Sequence, residues 1–262
     1  MFDINEKKRI VVKVGTSTLT HKTGSFNIRR VERLVKVLAD IKNSGRDIIL
    51  VSSGAVGLGM SKMNLTEKPK DTAMKQACAA VGQCELMYMY DKLFGEYNLT
   101  VAQMLLTKYI FESPRKNNVE NTFEKLISNN IIPVVNENDT VAIDELELEI
   151  GENDSLAALV AIFCRADMLI ILSDIDGFYD GDPREDPDAK LIPVITEIDD
   201  RIRSLAGGAG SGLGTGGMIT KIKAAEVAMF EGVDMAILNG NDPELIYDLF
   251  DGKNVGTIFT KE

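Results

Sequence analysis

Lys13 and Lys221 are the residues whose type and surroundings best suit them to chemistry. Lys13 lies between Val12 and Val14 in an apolar run typical of a buried parallel strand, so its ammonium group would lose hydration and need an anionic partner. A bound phosphate would be such a partner, and a lysine that reaches solvent from a strand end is the alternative. Lys221 follows the glycine-rich segment 207–217 at the start of a predicted helix. Backbone N–H groups and the helix dipole favour anions there, so both lysines indicate a phosphorylated ligand.

Small, amide and acidic residues directly follow several predicted strands. Because ligands of open α/β sheets bind at the carboxyl ends of the strands, we expect these residues to converge on one site. Considered one at a time, the segments 136–139 and 152–154 are explained as well by turns and helix caps as by a binding site. A tight turn would explain 54–59. Carboxylates such as Asp154 and Asp174 suit Mg²⁺, a substrate amine or the orientation of lysines. The residues concerned are Gly15, Thr16, Ser17, Ser52, Ser53, Gly54, Asn136, Glu137, Asn138, Asp139, Gly151, Glu152, Asn153, Asp154, Ser173 and Asp174.

The segment 212–217 has the spacing GxGxxG, but it does not predict a dinucleotide site. That fingerprint requires a strand immediately before it, whereas a helix-like segment precedes this one. The sequence contains no P-loop lysine motif either. What remains is a glycine-rich loop that leads into a helix carrying Thr220 and Lys221, with a surface loop without function as the alternative. Phosphoryl transfer suits such groups because it needs positioning and charge neutralisation more than covalent chemistry.

The single histidine, His21, limits the chemistry further. A Ser–His–Asp triad or a histidine-based zinc site would depend on this one residue. Its surroundings, His-Lys-Thr-Gly, are typical of a turn, so we interpret it as a solvated loop residue. The reaction is therefore expected to use lysine, carboxylate, amide and backbone groups.

Length and composition describe an ordinary globular protein of 262 residues with a formal net charge of −11. The sequence pI of about 4.8 argues against nucleic acid or an anionic membrane as the main partner. The segment 1–9 lacks the apolar region of a signal peptide, and the longest apolar stretch, 157–164, is far shorter than the ~20 residues of a membrane helix. Cys78, Cys84 and Cys164 have no metal-site spacing, and we interpret them as reduced core thiols of a cytoplasmic protein.

The apolar pattern predicts strands that alternate with helices over the whole chain. A strand at 10–14, a helix that Asn27 caps and Gly45 ends, and a strand at 47–52 form a βαβ unit, which implies a parallel sheet. The alternation of apolar and acidic residues in 141–150 predicts a hairpin at the sheet edge. We therefore expect an α/β fold, a three-layer αβα sandwich around a mainly parallel sheet. Further helices are predicted at 69–97, 119–129, 155–164, 199–205, 218–231 and 243–250, and further strands at 99–107, 131–135, 168–173, 235–238 and 255–259.

A set of short blocks spans the chain from about residue 10 to residue 259. They are Val12-Lys-Val-Gly-Thr16, Val51-Ser-Ser-Gly-Ala-Val56, Lys75-Gln-Ala-Cys-Ala-Ala-Val-Gly-Gln83, Gln103-Met-Leu-Leu-Thr107, Asn136-Glu-Asn-Asp139, Gly151-Glu-Asn-Asp154 and Gly212-Leu-Gly-Thr-Gly-Gly-Met-Ile-Thr-Lys221. Together they resemble the glutamate 5-kinase family of the amino acid kinase superfamily. The blocks 136–139 and 212–221 are the most specific to that family.

The resemblance implies ATP-dependent phosphorylation of the L-glutamate side-chain carboxylate to L-glutamyl 5-phosphate, the first step towards proline. It implies that Lys13 and Lys221 stabilise the transferring phosphoryl group and that Asp154, also catalytic, organises these lysines or the substrate amine. The implied glutamate-binding residues are Ser53, Gly54, Asn136, Asp139 and Asn153. The implied ATP-binding residues are Lys13, Gly15, Thr16, Ser173, Asp174, Thr215, Gly216, Gly217, Met218 and Lys221.

The resemblance also implies a single kinase domain over 1–262, with about 1–165 mainly for glutamate and about 166–262 mainly for ATP. It implies Mg²⁺ with no assigned protein ligand, and no C-terminal PUA domain, an RNA-binding-like module that many members carry. A cytoplasmic homo-oligomer (dimer or tetramer) is expected, with proline as a feedback inhibitor and no nucleic-acid or membrane partner. Glu152 and Ser173 stand where the family usually has Asp and Thr, and both keep a polar group.

Two other functions are compatible with such a fold. One is an acyl kinase of the same superfamily that acts on acetylglutamate, aspartate or carbamate, against which the blocks 136–139 and 151–154 weigh. The other is a non-catalytic sensor of amino acids or nucleotides, which would not need Lys13 and Lys221. Assays of ADP release with glutamate, acetylglutamate and aspartate side by side would separate these functions.

Overall fold

The computed structural model of this protein describes residues 4–21, 23–107, 109–141, 153–207 and 215–261. Within these ranges eight strands form one sheet. They are β1 (Arg9–Val14), β2 (Asp47–Ser52), β3 (Val101–Leu106), β4 (Ile132–Glu137), β5 (Met168–Ser173), β6 (Val194–Ile195), β7 (Asp234–Asn239) and β8 (Thr257–Phe259). Their order across the sheet is β3-β4-β2-β1-β5-β7-β8-β6.

Helices connect most of these strands. In the described part of the chain they are α1 (Thr16–Leu19), α2 (Ile28–Asn43), α3 (Ala55–Lys62), α4 (Thr72–Gly95), α5 (Tyr109–Glu112), α6 (Lys116–Ser128), α7 (Asn153–Phe163), α8 (Asp200–Ala206), α9 (Thr215–Phe230) and α10 (Leu245–Phe250). A 3₁₀ turn at Ile4–Glu6 precedes β1. None of the described helices is long and apolar enough to cross a membrane.

Parallel pairing places the ends of the central strands at one edge. Strand β1 pairs in parallel with β2 on one side and β5 on the other, and β4 pairs in parallel with β2 and β3. Among the described pairs only β7 and β8 run antiparallel. The carboxyl ends of β1, β2, β4 and β5 therefore lie together, as expected for the ligand edge of an α/β sheet.

Alternate strand residues form two apolar layers, one on each face of the sheet. Val11 and Ile171 belong to a core with helices α6, α7 and α9, whereas Val12 and Leu172 belong to a core with α2 and α4. This alternation follows from the two-residue period of a strand. The expected three-layer αβα sandwich around a mainly parallel sheet is confirmed.

Helix α2 follows its sequence signals closely. The side chain of Asn27 accepts a hydrogen bond from the backbone N–H of Arg30, as an N-cap should. After the helix ends, Gly45 adopts a φ of 101°, a left-handed conformation that glycine reaches without a Cβ clash. The predicted cap and the predicted stop are both confirmed.

Helices α3 and α4 cross in close contact at two glycines, a feature that the sequence did not suggest. A Cβ atom added at Gly82 would lie 1.8 Å from the carbonyl oxygen of Ala55, and one added at Gly59 would lie 1.8 Å from that of Cys78. Only hydrogen atoms fit in these positions, so the two backbones are in direct contact. Packing of helix against helix therefore accounts for part of the glycine content of 54–59.

Several expectations need correction. Cys78 and Cys164 are buried, and burial raises the pKa of the Cys164 thiol to about 12, but Cys84 is exposed and is not a core thiol. The short strand β6 and the helix α3 were not predicted, and α9 begins at Thr215 rather than at Met218. The hairpin predicted for 141–150 lies outside the described residues apart from Val141.

Replacing Gly82 with alanine is expected to lower the free energy of unfolding by at least about 2 kcal/mol, because the new methyl group collides with backbone that cannot rotate away. Urea unfolding monitored by circular dichroism would measure this loss. Gly95→Ala is the matched control in the same helix, since no atom lies within 4 Å of a Cβ at that position. The control is expected to change stability by less than about 1 kcal/mol. Equal effects of the two substitutions would contradict the close-contact interpretation.

Candidate active site

A buried carboxylate lies between two buried lysines at the carboxyl edge of the sheet. The Nζ atom of Lys13 is 2.7 Å from one carboxylate oxygen of Asp154, and the Nζ atom of Lys221 is 3.1 Å from the other. Asp154 is 0% exposed, Lys13 6% and Lys221 7%. We call these three residues the lysine–aspartate triad. Two positive charges and one negative charge leave a net positive centre inside an acidic protein.

Each member of the triad is placed by a different element. Lys13 has the same parity as Val11 in β1, so its side chain emerges on the sheet face that α7 and α9 cover. Asp154 is the second residue of α7, and Lys221 lies in the second turn of α9. Helix α7 packs against both β1 and α9, so the three charged groups meet where these elements adjoin.

The charges of the two lysines keep Asp154 ionised. Burial alone would raise the pKa of this carboxyl group, but the nearby charges of Lys13 and Lys221 and their hydrogen bonds outweigh it, and the pKa lies below its usual value. The alternative in which Lys13 reaches solvent is excluded by its burial. The anionic partner that the sequence required is, in this structure, the carboxylate of Asp154.

Backbone and hydroxyl groups surround the triad. The Nζ atom of Lys13 lies 3.7 Å from the position of a Cβ on Gly15, an ordinary van der Waals distance, so Gly15 lies directly beside the ammonium group. Lys221 donates to the carbonyl oxygen of Gly217 at 3.0 Å. The hydroxyl of Thr220 donates to Asp154 at 3.1 Å. The structure thus brings Gly15, Gly217 and the triad together, as the sequence predicted.

A second cluster, of amides and a hydroxyl, lies beside the triad. The side-chain Nδ2 of Asn153 donates to Oγ of Ser53 at 2.8 Å and to Oδ1 of Asn136 at 2.9 Å. The Nδ2 of Asn136 in turn donates to Oε1 of Gln83 at 3.0 Å. Because Asn153 directly precedes Asp154, this amide cluster and the lysine–aspartate triad adjoin at the first turn of α7.

The two other residues predicted to bind substrate have distinct settings. Gly54 has a φ of 102° and forms the N-cap of α3, so its left-handed backbone requires glycine whatever else it does. Asp139 lies in the turn after β4, three residues beyond Asn136, and burial raises the pKa of its carboxyl group. No described contact joins either residue to the amide cluster, and their binding roles stay predictions.

The residues predicted to bind ATP occupy two neighbouring positions. Ser173 is the last residue of β5, which adjoins β1, and Asp174 follows it. The Ser173 hydroxyl donates to Asp174, whose side chain is exposed. Thr16 begins α1 directly after Gly15. Thr215, Gly216, Gly217 and Met218 form the first turn of α9, and the half-buried Met218 packs against the apolar core. Gly217 accepts a hydrogen bond from Lys221, and none of the others shares a described hydrogen bond with the two lysines. The ATP-binding roles of all these residues stay predictions.

Sequence reasoning assigned no specific role to three polar groups next to these clusters. Gln83 accepts from Asn136, Thr220 donates to Asp154, and the hydroxyl of Tyr90 lies 2.8 Å from that of Ser52. Gln83 ends one of the sequence blocks that carried the family resemblance, and Thr220 directly precedes Lys221. These two sequence positions could have drawn attention to Gln83 and Thr220, although neither position indicates which partner the side chain contacts.

Comparison with known families agrees with the fold. Residues 8–239 match the amino acid kinase family. The chain belongs to this family.

Relatives that match nearly the full chain carry a narrower name. A glutamate 5-kinase from Clostridium perfringens is 53% identical over 259 residues, which cover 98% of this chain and 96% of that protein. A glutamate 5-kinase from Listeria innocua is 48% identical over 262 residues, covering 99% of this chain and 95% of that protein. Both alignments extend along nearly the whole chain.

Solved structures confirm the fold at lower sequence identity. A UMP kinase from Ureaplasma parvum superposes with a TM-score of 0.66 at 15% identity, over 97% of this chain and 99% of that one. The T. acidophilum isopentenyl phosphate kinase gives a TM-score of 0.64 at 18% identity, over 96% of this chain and 100% of that one. At these identities the likeness concerns architecture alone.

Asp154→Asn is expected to destabilise the fold by about 3–5 kcal/mol near neutral pH, because two buried lysines lose their counter-charge. Urea titrations from pH 7 to pH 3 would measure the difference from the wild type. Because the folded-state pKa of Asp154 lies below its usual value of 3.8, the carboxylate stabilises the fold above that value. The stabilisation is lost as the pH falls through the lowered pKa, so the difference should shrink below about pH 4.

Asp91→Asn, at an exposed position of α4, is the control and should stay within about 0.5 kcal/mol of the wild type at every pH. A deficit of Asp154→Asn that is independent of pH would show that the ion pairs are not its source.

Proposed function

We propose that this chain transfers the γ-phosphoryl group of ATP to the side-chain carboxylate of L-glutamate, which gives L-glutamyl 5-phosphate, the first step towards proline. The observation that carries the proposal is the lysine–aspartate triad, buried at the sheet edge beside a cluster of amides and a hydroxyl. The first arrangement suits a transferring phosphoryl group and the second suits an amino acid. The names of relatives that are about 50% identical along the chain support the same reaction.

The phosphoryl group is assigned to the space between Lys13, Gly15 and Lys221. Both ammonium groups and the backbone N–H of Gly15 can neutralise the oxygens of a phosphate in a site that excludes water. Asp154 does not contact the phosphate in this proposal. Its carboxylate holds the two lysines in place before the nucleotide arrives, so little reorganisation is needed during transfer.

The nucleotide is assigned to the part of the edge between β5 and α9. The first backbone N–H groups of α9 have no partner within the helix, and together with the positive end of the helix dipole they favour the phosphates of ATP. Ser173 and Asp174, at the carboxyl end of β5, are proposed to contact the remainder of the nucleotide. Thr215, Gly216, Gly217 and Met218 supply the turn that would enclose the phosphates.

Mg²⁺ is assigned to the nucleotide rather than to a protein cage. In the ranges that the structure describes, no group of three His, Cys, Asp or Glu side chains lies together as a cation site. The most buried carboxylate at the edge, Asp154, already has two lysine partners. We treat MgATP as the substrate and assign no protein side chain to the ion.

Glutamate is assigned to Ser53, Gly54, Asn136, Asp139 and Asn153. Hydroxyl and amide groups can bind a carboxylate or an ammonium group, and the carboxylate of Asp139 complements the positive amine. This placement puts the amino acid between the amide cluster and the triad. We also propose that residues up to about 165 mainly bind glutamate and that those from about 166 mainly bind ATP.

The chemical step needs no general base. The side-chain carboxylate of glutamate has a pKa near 4.3, so it is ionised at neutral pH and can attack directly. Its oxygen forms a bond to the γ-phosphorus while the bond from that phosphorus to the bridging oxygen of ADP breaks. Lys13 and Lys221 neutralise the equatorial oxygens as charge develops. The absence of a base requirement agrees with a chain whose one histidine, His21, lies in an exposed turn.

Competition between proline and glutamate is proposed on chemical grounds. L-Proline shares the α-carboxylate and the charged amine of glutamate, so we propose that it competes for the same pocket. The expected dimer or tetramer, and the cytoplasmic location, stay predictions from the sequence.

Lys221→Ala is expected to lower kcat by about 10²–10³-fold, because one of the two charges that stabilise the transition state is removed. A coupled assay of glutamate-dependent ADP release would measure it, with circular dichroism to verify folding. Lys223→Ala, two residues later in the same helix, is the control and should retain kcat within about threefold. Wild-type kcat in Lys221→Ala would refute the catalytic assignment.

The substrate itself is tested by ADP release with glutamate, acetylglutamate and aspartate side by side, with and without proline. We expect glutamate to give a kcat/KM at least about tenfold above the other two, because acetylglutamate lacks the free amine and the side chain of aspartate is one methylene shorter. Preference for acetylglutamate or aspartate would assign the chain to another acyl kinase. ATP binding without turnover on any substrate would indicate a sensor.

A further inference from the structure

The amide cluster has a fixed order of donors and acceptors. Gln83 from α4 accepts from Asn136, the Oδ1 of Asn136 accepts from Asn153, and the Nδ2 of Asn153 also donates to Ser53. The Oδ1 of Asn136 also accepts from the backbone N–H of Glu137 at 2.9 Å. Four side chains from separate parts of the chain therefore share one hydrogen-bonded series that starts at Gln83.

The direction of this series depends on which way the Gln83 amide faces. A primary amide has an acceptor end and a donor end, and only the acceptor end can pair with the Nδ2 of Asn136. The reverse orientation would place two NH₂ groups against each other. By accepting from Asn136, Gln83 leaves the Oδ1 of that residue for Asn153, which then presents its NH₂ group to Ser53. Among the described residues, no hydrogen bond uses the hydroxyl hydrogen of Ser53 or the Oδ1 of Asn153, and in this proposal both groups face the ligand.

Gln83 holds this orientation at a cost. Its side chain is 8% exposed, and its Nε2 is buried without a hydrogen-bond partner among the described residues. A buried amide donor without an acceptor destabilises a fold, and an apolar residue of similar volume would avoid that penalty. The acceptor function of Oε1 towards Asn136 is the use that the structure shows for a glutamine at this position.

We propose that Gln83 is a positioning residue for the amino acid substrate: through Asn136 it sets the orientation of Asn153 and Ser53. This inference deepens the proposed glutamate-binding site and rests on it. Gln83 does not contact the phosphoryl group in this proposal, so its influence should fall on glutamate binding and leave ATP binding unchanged.

Gln83→Met tests the proposal, because methionine matches the volume of glutamine and offers no comparable acceptor. The KM for glutamate is expected to rise about five- to tenfold, with the KM for ATP and kcat within about twofold of the wild type. The melting temperature should change little, because the substitution removes the unpartnered Nε2 but leaves the buried Nδ2 of Asn136 without its acceptor. Gln76→Met, two turns earlier in α4, is the matched control and should leave all three quantities unchanged.

Two further variants separate positioning from a structural role. Gln83→Glu keeps an oxygen for Asn136 and should restore the glutamate KM to within about threefold of the wild type. In an Asn136→Ala background, Gln83→Met should add less than about twofold to the glutamate KM, because its effect passes through Asn136. Additive effects, or a Glu variant as impaired as the Met variant, would overturn the proposal.

Failure of a variant to fold and absence of turnover also decide between the positioning role and its alternatives. If Gln83→Met does not fold, Gln83→Ala takes its place, and failure of both to fold would assign Gln83 to the fold alone. Turnover of glutamate by the wild type and by Gln76→Met is measured first, and its absence would reject the proposed function itself. Turnover with an unchanged glutamate KM in Gln83→Met would reject only the positioning role.

Discussion

The buried ionic contact of Lys13, Asp154 and Lys221 is the constraint on which the rest of the structure depends. A buried lysine in the central strand of a sheet would strongly destabilise the fold without a counter-charge. The second buried lysine, in α9, increases the need for that counter-charge. The carboxylate that compensates them must come from an element that crosses β1 at the correct height, which defines where α7 begins. The same carboxylate must reach α9, so the site ties together three elements that are far apart in sequence.

This contact also resolves a conflict of charge. The chain carries a formal net charge of −11, yet the proposed substrates, ATP and glutamate, are anions. Two lysines around one aspartate leave a local excess of positive charge in a site of low dielectric constant, where its effect on a phosphate is much larger than at the surface. Backbone N–H groups at the amino end of α9 add to it. An acidic exterior and an anion site are therefore compatible, because burial separates them.

Backbone packing and the polar site are connected through helix α4. Gly82 allows α4 to touch α3 at the carbonyl of Ala55, and the next residue, Gln83, reaches the amide of Asn136. The N-cap of helix α3, Gly54, directly follows Ser53. The close approach of these two helices therefore sets the distance between the ends of the amide cluster, and a feature that resembles ordinary core packing supports the geometry of the site.

The sequence by itself determined the local elements and the kind of chemistry. The period of apolar residues gave most strands and helices, Asn27 and Gly45 marked the ends of α2, and Lys13 and Lys221 indicated an anion site. The partners were decided only by tertiary structure. Asp154 meets a lysine 67 residues away, Asn153 meets a hydroxyl 100 residues away, and Gln83 meets an amide 53 residues away. Residue periodicity reports which face a side chain takes but not which element covers that face, because strand order and helix crossing arise from the packing of the whole chain.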